Sequence, residues 1–323
     1  MADFFNRLGG AVLFLWRTDK PLTFVGLFML AVLVATLPGL VLDPRLIAGA
    51  PAWMKPAKFA VSTAIYSLTL AWVFSYLPEW RKTRRIAGWT TAIVFVLEVA
   101  IIDVQAWRGT TSHFNVATPL DGILFTVMGT AIVLQTLVSA AVAVALWRQK
   151  FADAALALAL RAGLTITLLG AATGGLMTQP TRAQLDEARA TRRMVTAGAH
   201  TVGAPDGGPG LPGTGWSVEH GDLRVPHFVG LHALQALPLI VLVLLRGLPP
   251  AVRVTMARRA ALSYAALFAI LLLRALRGES VVNPGAVTSI VLGLWAAAAI
   301  AGWRLPAPAV TAHDAQTSMT RTI

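Results

Sequence analysis

The chain has no cysteine and little charge: Asp, Glu, Lys and Arg together make up 13% of its 323 residues, and the 15 acids are well outnumbered by 27 bases. The missing thiols exclude disulfides, thiolate metal sites, cysteine nucleophiles and cysteine-held iron–sulfur clusters. Any metal would have to be held by His, Asp, Glu, Asn or Gln. The scarcity of charge, with 56% hydrophobic residues and a mean hydropathy of +0.67, excludes an ordinary soluble enzyme. No glycine-rich stretch runs into Gly-Lys-Ser/Thr, so a phosphate-cradling P-loop is absent. No two of the six histidines stand four apart, the usual spacing of a helical chelating pair. We find no internal repeat.

What is present is long apolar segments. Scanning for about 20 mostly apolar residues gives eight, roughly 22–42, 57–77, 86–105, 120–147, 154–177, 227–247, 260–276 and 287–304. The expected fold is therefore all-α: a polytopic membrane protein with about eight transmembrane helices, in contact with a lipid bilayer. Span 1 is followed by the small residues Ala48-Gly49-Ala50, as a cleavable signal would be, but its apolar stretch is too long for one. Residues 4–16 are too short to span and read as an interfacial helix.

An even number of spans puts both termini on one side. That side collects 15 bases against 5 acids, while the other carries 11 bases against 10 acids, with Arg161 inside span 5. The positive-inside rule then places both termini in the cytoplasm and the chain in the cytoplasmic (inner) membrane. The formal charge of +12 follows this topology, so nucleic acid is rejected as a partner. The expected organisation is a cytoplasmic or interfacial N-terminal helix (1–21), spans 1–5 (22–177), an outer, periplasmic loop (178–226), spans 6–8 (227–304) and a disordered cytoplasmic tail (305–323). Within the long loop, Thr181 and Gln184 form a capping-box pattern that predicts a surface helix over 182–195. The Gly/Pro-rich stretch 198–215 after it is expected to be irregular, either a lid or disordered.

Residues 219–235 crowd ionisable groups at the mouth of span 6, and half of the six histidines lie there. At 1.5 Å per residue, His232 lies about 9 Å and Gln235 about 13 Å below the outer surface, while Glu98 on span 3 lies about 10 Å below it. A carboxylate at that depth needs a partner, so Glu98 is expected to meet His232. His227 and His232 are separated by about 140° on an ideal helix and do not chelate as plain neighbours, although Pro226 suits a loosened first turn that would let His227 swing. The short outer connection after span 3 adds Asp103, Arg108, Ser112, His113, Asn115 and Asp121. A Ser112–His113–Asp121 triad is disfavoured because adjacent Ser and His side chains rarely face each other. His200, in the glycine-rich stretch, is the weakest histidine candidate. Asp222 and Arg224 either orient a ligand or pair with each other. Arg161 and Gln135 share a level below the site and are expected to meet.

These groups predict an outward-facing pocket in a membrane-embedded, metal-dependent enzyme. Glu98, His232 and Asp103 are the candidate catalytic residues, and His113, His227 and His232 the candidate ligands of a divalent metal. Arg108, Asn115, Asp222, Arg224 and Gln235 would hold a lipid-like or small anionic substrate. Haem ranks below a single metal ion because no other span offers a second imidazole facing His232. The alternatives from other classes are a proton-coupled transporter, with Glu98, Arg161, His232 and Gln135 along its path, and a sensor or assembly factor that binds without turnover. The sequence leaves the oligomeric state open.

Overall fold

The computed structural model of the chain describes residues 2–304. The tail expected over 305–323 lies outside the described residues. Eleven α-helices account for most of the described chain: α1 (Ala2–Thr18), α2 (Lys20–Leu42), α3 (Met54–Phe74), α4 (Arg81–Trp107), α5 (Pro119–Arg148), α6 (Ala154–Met177), α7 (Arg182–Thr191), α8 (Arg224–Leu231), α9 (Ala233–Leu239), α10 (Pro250–Leu276) and α11 (Ala286–Arg304). Seven of them, α2 to α6 with α10 and α11, are long and apolar enough to cross a membrane, and α8 with α9 and its extension to Leu244 passes the same test as a pair bent by 45°. The protein is a multi-pass helical membrane protein.

Local chemistry sets the helix starts. Asp19 accepts from the Leu22 amide at 3.0 Å and Asp153 from the amides of Ala155 and Leu156 at 3.0 and 3.1 Å, satisfying donors that a first turn leaves free. Thr118 caps α5 ahead of Pro119, a residue that fits the first helical position because it has no amide hydrogen to lose. The Thr181–Gln184 capping box forms as expected and starts α7, which ends at Arg192 in the left-handed region.

The main core joins α3, α5, α6, α9 and α10 through Leu70, Phe74, Leu146, Leu160, Leu164 and Leu234, all essentially inaccessible. A smaller cluster of Val25, Met29, Ala64, Val94 and Val99 ties α2 to α3 and α4. By contrast α11 leans chiefly on α10, through Trp295 Nε1 donating to the Ser263 carbonyl at 2.9 Å and Arg259 to that of Gly302 at 2.7 Å, and among its described residues Thr288 alone is buried.

The sixth span departs from the continuous helix expected over 227–247. It breaks at His232, whose φ of −87° and ψ of 0° end α8 and begin α9. The cause is tertiary. A Cβ on Gly170 of α6 would stand 2.7 Å from the Cα of Gly230, so the two backbones touch at a distance that only glycines permit. Thr167, one turn away, donates to the Leu231 carbonyl and accepts from the Leu234 amide, both at 3.3 Å, and so satisfies backbone groups freed by the break. Pro238 then removes a helical donor, and the chain passes through a π-helical turn at Ile240–Leu244.

The bundle has two unlike ends. One carries short turns. At the other, four longer connections lock together: Arg45 donates to the Trp107 carbonyl at 2.9 Å, Asn115 bridges to Thr196, β1 (Thr201–Val202) pairs antiparallel with β2 (Gly221–Asp222), and the Ser280 hydroxyl donates to the Val218 carbonyl at 2.6 Å. The 198–215 segment is irregular, as composition predicted, but it is tied down. Lys58 donates to the Thr214 carbonyl at 2.9 Å, Arg224 to that of Gly215 at 2.6 Å, and Gln184 to that of Gly198 at 2.8 Å.

Candidate functional site

The loop-rich end gathers His113, His200 and His227 within electrostatic reach of one another, with Lys55 acting on both His113 and His200. Each histidine arrives by a different route. His113 follows Ser112 in the α4–α5 connection, and its ring lies 5.5 Å from that of Phe59 on α3. His227 is delivered by the glycine contact: as α8 presses on α6, its Nδ1–H donates to the Gly170 carbonyl at 2.8 Å. His200 stands at the start of the tied-down segment, with its ring 4.8 Å from Phe114.

His200 is the histidine that sequence reasoning ranked lowest. Its Nδ1 lies 2.6 Å from a carboxylate oxygen of Asp206, which also accepts from the amides of His200 and Thr201 at 3.0 and 2.8 Å. The sequence did hold a signal: Asp206 follows Pro205 six residues on, in a Gly-Ala-Pro-Asp-Gly turn that brings the acid back over the histidine. Burial pushes the Asp206 carboxyl up, but the hydrogen bonds and charge of His200 and the two amides outweigh it and hold the acid well below the usual carboxylate range. Burial pushes His200 down more than Asp206 draws it up. In its neutral form this imidazole donates Nδ1–H to the carboxylate, which leaves the free lone pair on Nε2. His113 is held well below its ordinary value by burial first, then by the positive charge of Lys55 and the neighbouring imidazoles.

Lys55 opens α3, its ammonium 5.8 Å from the centre of the Phe59 ring, and has no ion-pair partner among the described residues. Below it, Glu98 is 2% exposed and its Oε1 has no hydrogen-bond partner among the described residues.

Several expected assignments need correction. Among the described residues Glu98 and His232 share no hydrogen bond or ion pair. His232 Nδ1–H donates to the Phe228 carbonyl at 2.9 Å and its ring packs 4.1 Å from Phe228, because the break turns this residue away from the course of a continuous helix. The metal triad His113, His227 and His232 does not form: among the described residues no three of His, Asp and Glu converge to hold an ion. Gln235, with its amide nitrogen turned inward, donates to the His232 and Leu231 carbonyls at 3.3 Å each, and so supports the broken turn rather than facing a ligand. Asp103 is five residues from Glu98, about 140° around the helix. It lines a separate groove between α2 and α4.

The expected substrate-holding groups are mostly engaged in structure. Arg108 pairs with Asp121 at 2.7 Å and bonds Gln105, which itself donates to Asp121 at 2.9 Å, closing the α4–α5 connection. Asn115 spends its amide on Thr110 and on the Thr111 carbonyl, at 2.9 and 3.2 Å, and its oxygen on the Ala117 amide at 3.1 Å. Asp222, buried, forms a two-pronged pair with Arg224 at 3.0 and 2.6 Å and accepts from the Ser217 amide at 2.8 Å, which pins the 210–217 hairpin to α8. Ser112 does face its neighbour, with Oγ 3.1 Å from His113 Nδ1, but Asp121 is committed elsewhere and no triad results. Arg161 does not meet Gln135. Its guanidinium donates to the Leu146 and Gln149 carbonyls at 2.9 and 2.8 Å and so caps the end of α5, while Gln135 donates to Ser139 at 3.2 Å.

Comparison of the chain with protein-family profiles, curated proteins and solved structures gives no match.

Proposed function

We propose that this protein is a membrane-embedded enzyme of the cytoplasmic membrane that uses the His200–Asp206 pair for general acid–base chemistry on a lipid-like or small anionic substrate at the outer face. The excess of bases at the short-turn end supports an orientation with both termini cytoplasmic and the histidines outside. The observation that carries the reading is the 2.6 Å contact of Asp206 with His200 Nδ1, within electrostatic reach of Lys55, which has no ion-pair partner among the described residues. A carboxylate that fixes an imidazole's tautomer leaves Nε2 aimed and basic. In the reaction this favours, ester hydrolysis, Nε2 takes a proton from water as its oxygen bonds to the ester's acyl or phosphoryl centre. The same proton is returned to the leaving oxygen as that bond breaks. Lys55 binds the anionic part of the substrate and opposes the charge that develops. His113 and His227, with Nδ1 committed to Ser112 and Gly170, present their other nitrogens as neutral hydrogen-bonding groups.

The test is a panel of chromogenic carboxylate esters and phosphate esters, with short and long acyl chains, offered to the protein in nanodiscs. Turnover is expected in the wild type, with a fall of about 10²-fold or more in His200→Gln and Asp206→Asn at unchanged thermal stability. Equal rates in all three proteins would refute the assignment. Saturable binding without turnover would favour a sensor or assembly factor.

A second reading, a proton-coupled transporter, is favoured by one feature: a span broken at an ionisable residue, His232, beside a bundle whose Glu98 keeps an unpartnered oxygen. It requires proteoliposome flux that is lost in Glu98→Gln and retained in His200→Gln.

A further inference from the structure

We propose that the flank of the bundle between α2 and α4 binds one membrane lipid through a primary ammonium headgroup, with Asp103 as its acceptor. A groove of about 460 Å³ lies there, walled by Val32, Ala35, Thr36 and Val104 and by the indoles of Trp53 and Trp107. It opens sideways from the bundle: Val104 is 48% and Trp107 72% exposed on its rim. Asp103 supplies the carboxylate in an otherwise apolar wall, and its Oδ1 is buried with no hydrogen-bond partner. Leaving such an atom unsatisfied is costly, and more so for a charged group.

Two of the groove's side-chain donors are already used, and the third, Trp107 Nε1, forms no hydrogen bond with Asp103 among the described residues. The Thr36 hydroxyl donates to the Leu33 carbonyl at 2.7 Å, and Trp53 Nε1 donates to Asp43 at 2.8 Å. No Lys, Arg or His forms an ion pair with Asp103 among the described residues. A partner that brings both a hydrogen-bond donor and a positive charge complements this carboxylate best. Asp103 lies four residues from the end of α4 at Trp107, about 6 Å in along the axis, the level where indoles mark the boundary between headgroups and acyl chains. A primary ammonium on a lipid meets each condition at that depth, with its acyl chain along Val32, Ala35 and Val104. A choline head carries the charge but has no N–H to donate, and a glycerol head donates but carries no positive charge.

The proposal is independent of the histidine cluster, and its failure would leave the enzyme reading untouched. The experiment is native mass spectrometry of protein released from nanodiscs made of equal parts phosphatidylethanolamine, phosphatidylcholine and phosphatidylglycerol. Phosphatidylethanolamine should be retained over either of the others by roughly three- to tenfold, the contribution of one partly solvated charge-assisted hydrogen bond, and Asp103→Asn should abolish the preference. Equal retention of the three lipids by the wild type overturns the proposal, as does a preference that survives in a folded Asp103→Asn. Should that variant fail to fold, quenching of tryptophan emission by brominated lipids decides. Brominated phosphatidylethanolamine must quench the wild type more than the brominated choline lipid does, and the difference must shrink in Trp107→Phe. Identical quenching by the two lipids also overturns it.

Discussion

At the short-turn end of the bundle, three arginines finish on backbone or on a carboxylate. Arg161 caps α5 through two carbonyls, Arg84 donates to the Thr18 carbonyl at 2.6 Å, and Arg253 meets Asp153 at 2.8 Å. At the loop-rich end the pairs Arg108–Asp121 and Asp222–Arg224 hold the loops in place, and within that frame Lys55 has no ion-pair partner while Glu98 keeps an unbonded oxygen. Both ends are rich in ionisable groups, so charge alone does not mark a site. The difference lies in which groups are left over: at the short-turn end Arg84 Nε and Arg253 Nε, single nitrogens of guanidiniums anchored through their other atoms, and at the loop-rich end an ammonium and a carboxylate oxygen. Groups still unsatisfied in a low-dielectric setting cost stability, and such costs persist where a ligand or a reaction uses them.

The largest expected effect concerns how the loop-rich end is assembled. Gly170→Val puts side-chain atoms where the Gly230 backbone already lies, so α8 must move. We expect a loss of about 1–3 kcal/mol or more in unfolding from detergent, with loss of turnover as His227 leaves the Gly170 carbonyl. Unchanged stability would mean that the close approach is not needed. Next in size is a matched pair of substitutions. Arg161→Met should cost about 1–3 kcal/mol by uncapping α5 and leave turnover as it was, whereas Lys55→Met should reduce turnover and leave the melting temperature equal or higher. If Arg161→Met abolishes activity at intact stability, the contrast between the two ends collapses.

The smallest effect is a pH dependence. His113 and His200 are held below their ordinary value of 6.5 in the folded protein. As pH falls through that value the unfolded chain binds protons that the folded imidazoles do not, so the stability contribution is full above about pH 6.5 and is lost progressively below it. The melting temperature should be level from about pH 7 to 8 and decline from about pH 6.5 downward, less steeply in His113→Phe. Identical slopes for variant and wild type would show that His113 titrates as a solvent-exposed histidine does.

Much of the architecture was readable from composition because a bilayer demands long apolar helices whatever they pack against. The positions of the spans, the cap at Thr181 and the surface helix α7 all follow from local chemistry. Gln135 and Arg161 were assigned by depth alone, but a guanidinium at a helix end finds carbonyls before it finds a distant amide. Asp103 was grouped with Glu98 by proximity in sequence, although five residues place them on different faces. His200 was set aside for its glycine-rich surroundings, and those same turn residues bring Asp206 onto it.

The sequence by itself determined that the protein lives in a membrane, about where its helices begin and end, and which end of the bundle carries the histidines, since all three depend on hydropathy and on neighbours within a few residues. The tertiary structure decided the break at His232 and the separation of that residue from Glu98. It also brought Asp206 onto His200. Those features depend on how closely α6 and α8 approach and on where an irregular segment is tied, contacts between residues tens of positions apart that no local pattern encodes.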